Sequence, residues 1–63
     1  MREKILEIIE KENRKLNPLE IMDFIKKDST VDDLRHLMDE IESMCRDGIL
    51  RTASGNCYVK MNY

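Results

Sequence analysis

Tryptophan is absent from this chain, and only three aromatic side chains occur: Phe24, Tyr58 and Tyr63. Long apolar runs are also missing, which excludes the ~20-residue span of a transmembrane helix. One proline and two glycines are too few for a flexible linker. Two cysteines fall short of the disulfide framework of a small secreted domain. We therefore expect a folded, cytoplasmic chain without membrane contact.

The chain is short and highly charged. Its 63 residues, of which 41% are hydrophobic and 38% charged, allow a single domain over residues 1–63 with a small core. Such a domain buries only about 60% of the surface of its unfolded chain, so its stability is marginal. A chain this short also lacks the bulk to enclose the dry cleft of an enzyme. We expect a binding module with no catalytic residues, no metal and no cofactor.

Three segments have the apolar spacing of amphipathic helices, at about residues 2–13, 18–27 and 31–47. The second has a strong start signal, because Asn17 can cap it, Pro18 suits the first helical position and Glu20 lies three residues after the cap. We expect this helix to bury some combination of four apolar residues: Ile21, Met22, Phe24 and Ile25.

The third helix has the most regular apolar pattern. Ser29 or Thr30 can cap its start, with an aspartate three residues on in either case. Gly48 lies just past its end, where a left-handed residue usually closes a helix. Six apolar residues follow the i, i+3, i+4, i+7 spacing of a core face almost without error: Leu34, Leu37, Met38, Ile41, Met44 and Cys45. Met44 and Cys45 are adjacent and cannot point the same way, so Met44 is expected at the edge of this face.

The end of the chain changes to the two-residue period of β-strands. Strands are expected at about residues 49–53 and 57–61, joined by a turn whose Gly55 and Asn56 tolerate positive φ. Alternation along the second strand would place three residues inward: Cys57, Val59 and Met61. Tyr58 and Lys60 would then face outward.

The resulting order is helix, helix, helix, hairpin. A lone hairpin is marginal in water, so this one must pack on the helices. The chain is therefore expected to be mainly α with a C-terminal β-hairpin, the plan of a three-helix winged helix-turn-helix domain. That plan often includes a one-residue strand beside the hairpin, and Leu16 is the candidate.

Several stretches carry a family resemblance. The spacing from Leu34 to Leu50 resembles the recognition helix and first wing strand of winged-helix domains. Three further stretches are similar to the N-terminal winged-helix domain of bacterial ribonuclease R: Glu3-Lys4-Ile5-Leu6-x-Ile8-Ile9, Arg14-Lys15-Leu16-Asn17-Pro18-Leu19-Glu20-Ile21 and Gly55-Asn56-Cys57-Tyr58-Val59. The resemblance implies an accessory RNA-binding domain placed ahead of RNA-binding barrels and an exoribonuclease domain. DNA-binding domains of transcription regulators fit nearly as well.

The charge pattern argues against insertion of the third helix into a DNA groove. Residues 28–47 carry two bases and seven acids, a balance of −5, whereas duplex DNA carries one negative charge per about 1.7 Å of axis. Asp39, Glu40 and Glu42 lie in the middle of the helix, where the helix dipole gives an acid no advantage. An acidic third helix could instead face a basic protein partner or a sibling domain of the same polypeptide.

The candidate nucleic-acid contacts lie in the first turn and in the hairpin. Tyr58 lies on the same side of its strand as Lys60, and a base can stack on a tyrosine beside a cation. The alternative is that these are solvated charges and a tyrosine covering the edge of the core. We expect weak, salt-dependent binding of RNA or DNA through six residues: Lys11, Arg14, Lys15, Arg51, Tyr58 and Lys60.

The remaining chemistry-bearing residues are sparse. Cys45 and Cys57 lack CxxC spacing, and only His36 could join them as a zinc ligand, so a four-ligand site is not expected. We expect two buried reduced thiols, with a disulfide between helix and hairpin as the alternative. His36 is expected at the surface, because no nucleophile or orienting partner is recognisable. Met44 is expected at an exposed helix edge, together with Ile49 or Leu50.

Overall fold

The computed structural model describes residues 1–61 and has the predicted order of elements. These are α1 (Arg2–Glu12), α2 (Pro18–Ile25), α3 (Val31–Arg46), β1 (Leu50–Ala53) and β2 (Cys57–Lys60). The expected mainly α architecture with a C-terminal β-hairpin is confirmed. Each predicted element was one or two residues too long at one end. Within residues 1–61, every helix is too short or too polar to cross a bilayer.

The ends of α1 and α2 have local causes. Asn13 adopts the left-handed conformation, with φ of 52°, and so closes α1. The predicted cap of α2 is confirmed: the Glu20 N–H donates to Asn17 Oδ1 at 2.9 Å, and the Asn17 N–H donates to Glu20 Oε1 at 3.0 Å. Pro18 occupies the first turn. The backbone of Lys26 is extended, so α2 ends at Ile25, before the Lys26 and Lys27 that the expected range of 18–27 included.

The start of α3 is capped by Thr30 rather than Ser29. The Asp33 N–H donates to Thr30 Oγ1 at 3.2 Å, and the Thr30 N–H donates to Asp33 Oδ2 at 2.9 Å. That backbone N–H, and then the Lys26 ammonium at 3.2 Å, hold the pKa of Asp33 below its ordinary value of 3.8. Gly48 follows the helix with φ of 78°, as expected for a closing residue.

The core joins all three helices to the hairpin. α3 turns Leu37 and Ile41 inward, and they meet isoleucines of α1 and α2. Each of these positions lies three, four or seven residues from another on its own helix, which keeps them on one face. The buried cluster consists of ten residues: Ile5, Ile8, Ile9, Leu16, Ile21, Met22, Leu37, Ile41, Met44 and Leu50.

One expectation about the end of α3 was wrong. Met44 was expected at an exposed edge with Ile49 or Leu50, but Met44 is fully buried. Leu50 is also buried, whereas Ile49 is half-buried. Met44 lies seven residues after Leu37, two helical turns along the same face, so it continues the core stripe. Cys45 is the residue at the edge of that stripe, and it is half-buried.

Two apolar side chains expected on core faces are exposed instead: Met38 is 48% exposed and Met61 is 41% exposed. In α2, the residues that are buried are Ile21 and Met22, and Phe24 is 48% exposed. Met38 follows the buried Leu37 by about 100° around the helix, which turns it away from the core. Met61 lies in a turn after β2, where the alternation of the strand no longer applies.

The hairpin gains a third, one-residue strand. The Leu16 N–H donates to the Tyr58 carbonyl at 3.1 Å, and the Tyr58 N–H donates to the Leu16 carbonyl at 2.7 Å. The prediction that Leu16 would pair with the hairpin is confirmed. β2 therefore lies between β1 on one side and the α1–α2 turn on the other.

We predict that Leu37→Ala lowers the free energy of unfolding by about 2–5 kcal/mol, because the side chain is fully buried and its loss leaves a cavity. Met38→Ala, at the adjacent position, is the matched control. It should change the free energy of unfolding by only about 0.5 kcal/mol, since Met38 is 48% exposed. Urea unfolding followed by far-UV circular dichroism measures both. Equal losses in the two variants would contradict the orientation of α3.

We predict that Asp33→Asn destabilises the protein near neutral pH and that this difference shrinks in acid. The folded-state pKa of Asp33 lies below 3.8, so its contribution is fully present above that value and is lost as the pH falls through the lower folded value. Asp32→Asn removes an acid from the same first turn without breaking the cap, and should cost less at neutral pH. Urea midpoints measured from pH 7 down to about pH 3 test this; a pH-independent Asp33→Asn difference would contradict it.

Candidate nucleic-acid interface

The α1–α2 turn and the hairpin, which carry the predicted contacts, lie side by side. Besides the backbone pair of Leu16 and Tyr58, the ammonium of Lys15 donates to Ser54 Oγ at 2.7 Å and to the Ser54 carbonyl at 3.3 Å. Ser54 lies in the hairpin turn, 39 residues along the chain from Lys15. Two basic segments that are distant in sequence therefore form one surface.

This surface has no acidic residue of its own. All thirteen acids of the chain lie at or before Asp47, and residues 13–19 and 48–63 contain none. The described parts of those two segments contribute four bases: Arg14, Lys15, Arg51 and Lys60. Among residues 1–61, the acids that pair with them come from the neighbouring helices: Glu10, Glu12 and Glu20. Positive charge is thus concentrated in these two segments, although the net charge of the chain is −2.

Two of the predicted contacts are already held by acids. Arg14 Nη1 lies 3.1 Å from Glu20 Oε2, and its Nη2 lies 3.9 Å from Glu12 Oε1. Lys60 Nζ lies 2.8 Å from Glu10 Oε2. The Asn17 N–H, and after it the Arg14 guanidinium, lower the pKa of Glu20. Because these pairs are exposed to water they are weak, and a phosphate can compete for the cation.

Three bases remain more available. Lys11 in the last turn of α1 and Arg51 in β1 are exposed and have no ion-pair partner among residues 1–61. Among the described residues, the Lys15 ammonium bonds to neutral oxygens of Ser54. We call the five bases carried by the end of α1, the α1–α2 turn and the hairpin the basic edge: Lys11, Arg14, Lys15, Arg51 and Lys60.

The strand register separates Arg51 from Tyr58. Arg51 lies opposite Val59, whereas Tyr58 lies opposite Thr52, and opposed residues of an antiparallel pair share a face. Tyr58 and Lys60 share a face, as expected, but it is the face of the buried Leu50. Cys57 and Val59 are buried, as expected, but Tyr58 packs against the core and is half-buried, so it is less exposed than expected.

α3 is unsuited to a DNA groove in this fold. The Glu40 carboxylate is held by Arg2 Nε at 3.0 Å, but Asp39 is exposed and has no ion-pair partner among the described residues. Asp32 and Glu42 have only long, exposed pairs, at 3.9 and 4.0 Å. The acidic charge that the sequence places on this helix therefore faces water, where it would repel phosphate.

Neither a metal site nor a disulfide is found in residues 1–61. Cys57 is buried, and its Sγ donates to the Gly55 carbonyl at 3.4 Å. Burial, and then the nearby Glu42 carboxylate, raise the pKa of the half-buried Cys45 thiol, which makes it a weaker nucleophile. His36 is exposed, as expected.

Sequence reasoning missed two residues of this surface. Ser54 holds Lys15 beside the hairpin, and Glu10 holds Lys60 to α1. A serine in a turn and a glutamate on a helix carry no local signal of such partners, because both contacts depend on how distant segments pack.

Scans against protein-family models, curated proteins and solved structures found no match to the chain. The resemblance to winged-helix domains of ribonuclease R therefore remains a hypothesis drawn from the pattern of residues. The function has to be inferred from the surface itself, namely from a basic edge on the hairpin side and an acidic helix elsewhere.

Proposed function

We propose that this chain is a nucleic-acid-binding domain that holds the phosphate backbone of RNA along the basic edge. The observation that carries the proposal is the bond of 2.7 Å between Lys15 and Ser54, which joins two acid-free segments into one positive surface. The hairpin turn beside it ends in small polar residues, Ser54, Gly55 and Asn56, which let a backbone approach closely.

Binding would depend on electrostatic contacts with phosphates rather than on recognition of the base sequence. Lys11, Lys15 and Arg51 contact phosphates directly, whereas Arg14 and Lys60 first exchange their carboxylate partners. Three phosphate contacts on a single strand predict that log K falls with log salt with a slope of about −2. Such a surface gives dissociation constants in the non-specific range of about 10⁻⁴–10⁻⁶ M.

RNA suits this surface better than duplex DNA. Recognition of duplex DNA by a helix-turn-helix domain places a helix in the major groove, and α3 is acidic there. Single-stranded segments and loops of RNA can instead be held on their backbone by an exposed hairpin and turn. The half-buried Tyr58 offers part of its ring to a base at one end of the edge.

We predict that the triple variant Lys11→Gln, Lys15→Gln, Arg51→Gln binds single-stranded RNA at least about 10-fold more weakly than the unmodified protein at low salt. The matched control removes three exposed bases away from the edge: Lys4→Gln, Lys27→Gln and Arg35→Gln. Since both variants change the net charge equally, only the position of the lost charges differs. Fluorescence anisotropy of labelled RNA and duplex DNA at two salt concentrations measures the affinity and the salt slope.

Two results would overturn the proposal. One is the absence of RNA binding at low salt with protein at about 100 µM. The other is an equal loss in both triple variants, which would mean that net charge alone governs the interaction. Far-UV circular dichroism of each variant shows whether the fold is retained, since Lys15→Gln also removes the bond to Ser54.

A further inference from the structure

A second apolar stripe runs along α3 beside its core face. Val31, Leu34 and Met38 are spaced at i, i+3 and i+7, so they lie on one side of the helix. Val31 is 75% exposed and Met38 is 48% exposed, while Leu34 is half-buried. The buried Leu37 and Ile41 belong to the other stripe, which packs on the helices and hairpin.

Two adjoining grooves follow this stripe. The larger, of about 470 Å³, lies where the start of α2, the middle of α3 and the hairpin turn meet, and Leu19 and Tyr58 line it. The smaller, of about 320 Å³, runs along α3 from Val31. Leu34 and Met38 line both grooves, so the two form one continuous surface. We call this surface the α3 groove and define it by Leu19, Val31, Leu34, Met38, Asp39 and Glu42.

The rim of the α3 groove is more acidic than basic. Asp39 and Glu42 line its smaller part beside one base, Arg35, which lies 3.9 Å from Asp32. Asp39 has no ion-pair partner among residues 1–61. The pair of Glu42 with Arg46 spans 4.0 Å and is exposed, so it neutralises the carboxylate weakly. The helix as a whole carries two bases and five acids, a balance of −3. The surface thus combines an apolar floor with a negative border.

We propose that the α3 groove binds an amphipathic helix of a partner protein, with large apolar side chains on one face and lysine or arginine on both flanks. Val31 to Met38 spans about 10 Å at 1.5 Å per residue, which matches two turns of a partner helix. Apolar anchors at i, i+3 or i+4, and i+7 would enter the floor, as in other helix-in-groove complexes. The basic flanks would face Asp39 and Glu42.

The charges disfavour the other occupants. A two-fold contact with a second copy would place the Asp39 and Glu42 of one chain against the same acids of the other. Nucleic acid and anionic membranes would be repelled by the same carboxylates. The α3 groove shares Tyr58 and the hairpin turn with the proposed RNA-binding surface, but none of the five bases of the basic edge lines it.

The test uses a fluorescein-labelled helical peptide of about 16 residues, with leucines at i, i+3 and i+7 and lysines on both flanks. Two comparison peptides replace the lysines by glutamates or the leucines by serines. We expect saturable binding of the leucine–lysine peptide in the micromolar range, and at least about 10-fold weaker binding of both others. Amide chemical-shift changes should centre on Leu19, Leu34 and Met38.

A pair of variants with equally exposed side chains locates the site. Met38→Ser should weaken the leucine–lysine peptide by about 10-fold. Phe24→Ser should leave it unchanged, because Phe24 has the same 48% exposure and lines neither groove. The double variant Asp39→Lys, Glu42→Lys should reverse the preference, so that the leucine–glutamate peptide binds better.

The proposal fails if no peptide binds, if the lysine and glutamate peptides bind equally, or if Met38→Ser binds like the unmodified protein. It also fails if the shift changes centre on the hairpin strands or α1. The Lys11, Lys15, Arg51 triple variant should bind the peptide normally, so this result is separable from the RNA-binding result. Far-UV circular dichroism confirms that the exposed substitutions leave the fold intact.

Discussion

The backbone pair between Leu16 and Tyr58 is the contact on which the arrangement of the surface depends. A two-stranded hairpin is marginal in water, and this one is held by a third, one-residue strand and by the burial of Leu50 against the helices. The same pair fixes the position of the α1–α2 turn. Because Lys15 immediately precedes Leu16, its ammonium reaches the Ser54 oxygens of the hairpin turn. One contact therefore closes the fold and assembles the basic edge.

The distribution of charge gives a small domain two surfaces of opposite character. The bases of the turn and hairpin have acids only at their borders, whereas α3 exposes acids around an apolar stripe. A domain with one small core has little surface for binding. Surfaces of opposite charge attract different ligands, so two ligands need not compete for one site. The Arg2 guanidinium, which lies within 3.0 Å of Glu40, Ser43 and Asp47, neutralises the far end of α3 and leaves Asp39 exposed.

Interactions that span three or four residues were readable from the sequence. The capping boxes of Asn17 with Glu20 and of Thr30 with Asp33, and the left-handed Gly48, were predicted because each is a contact within one turn of the chain. The element order follows from the change of apolar period, and it was predicted correctly. Thr30 rather than Ser29 caps α3, a choice that the spacing left open.

The sequence alone determined where the three helices begin, which segments of the chain carry bases without acids, and that α3 is acidic. Only the tertiary structure decided which apolar stripe of α3 is buried. Met38 and Met44 both fit the apolar spacing of the helix, but Met44 is packed in the core and Met38 is exposed. It also decided that Tyr58 packs on the core and that Lys60 pairs with Glu10, 50 residues away. Local hydrogen bonds depend on neighbouring residues, whereas packing and long-range ion pairs depend on how whole elements meet.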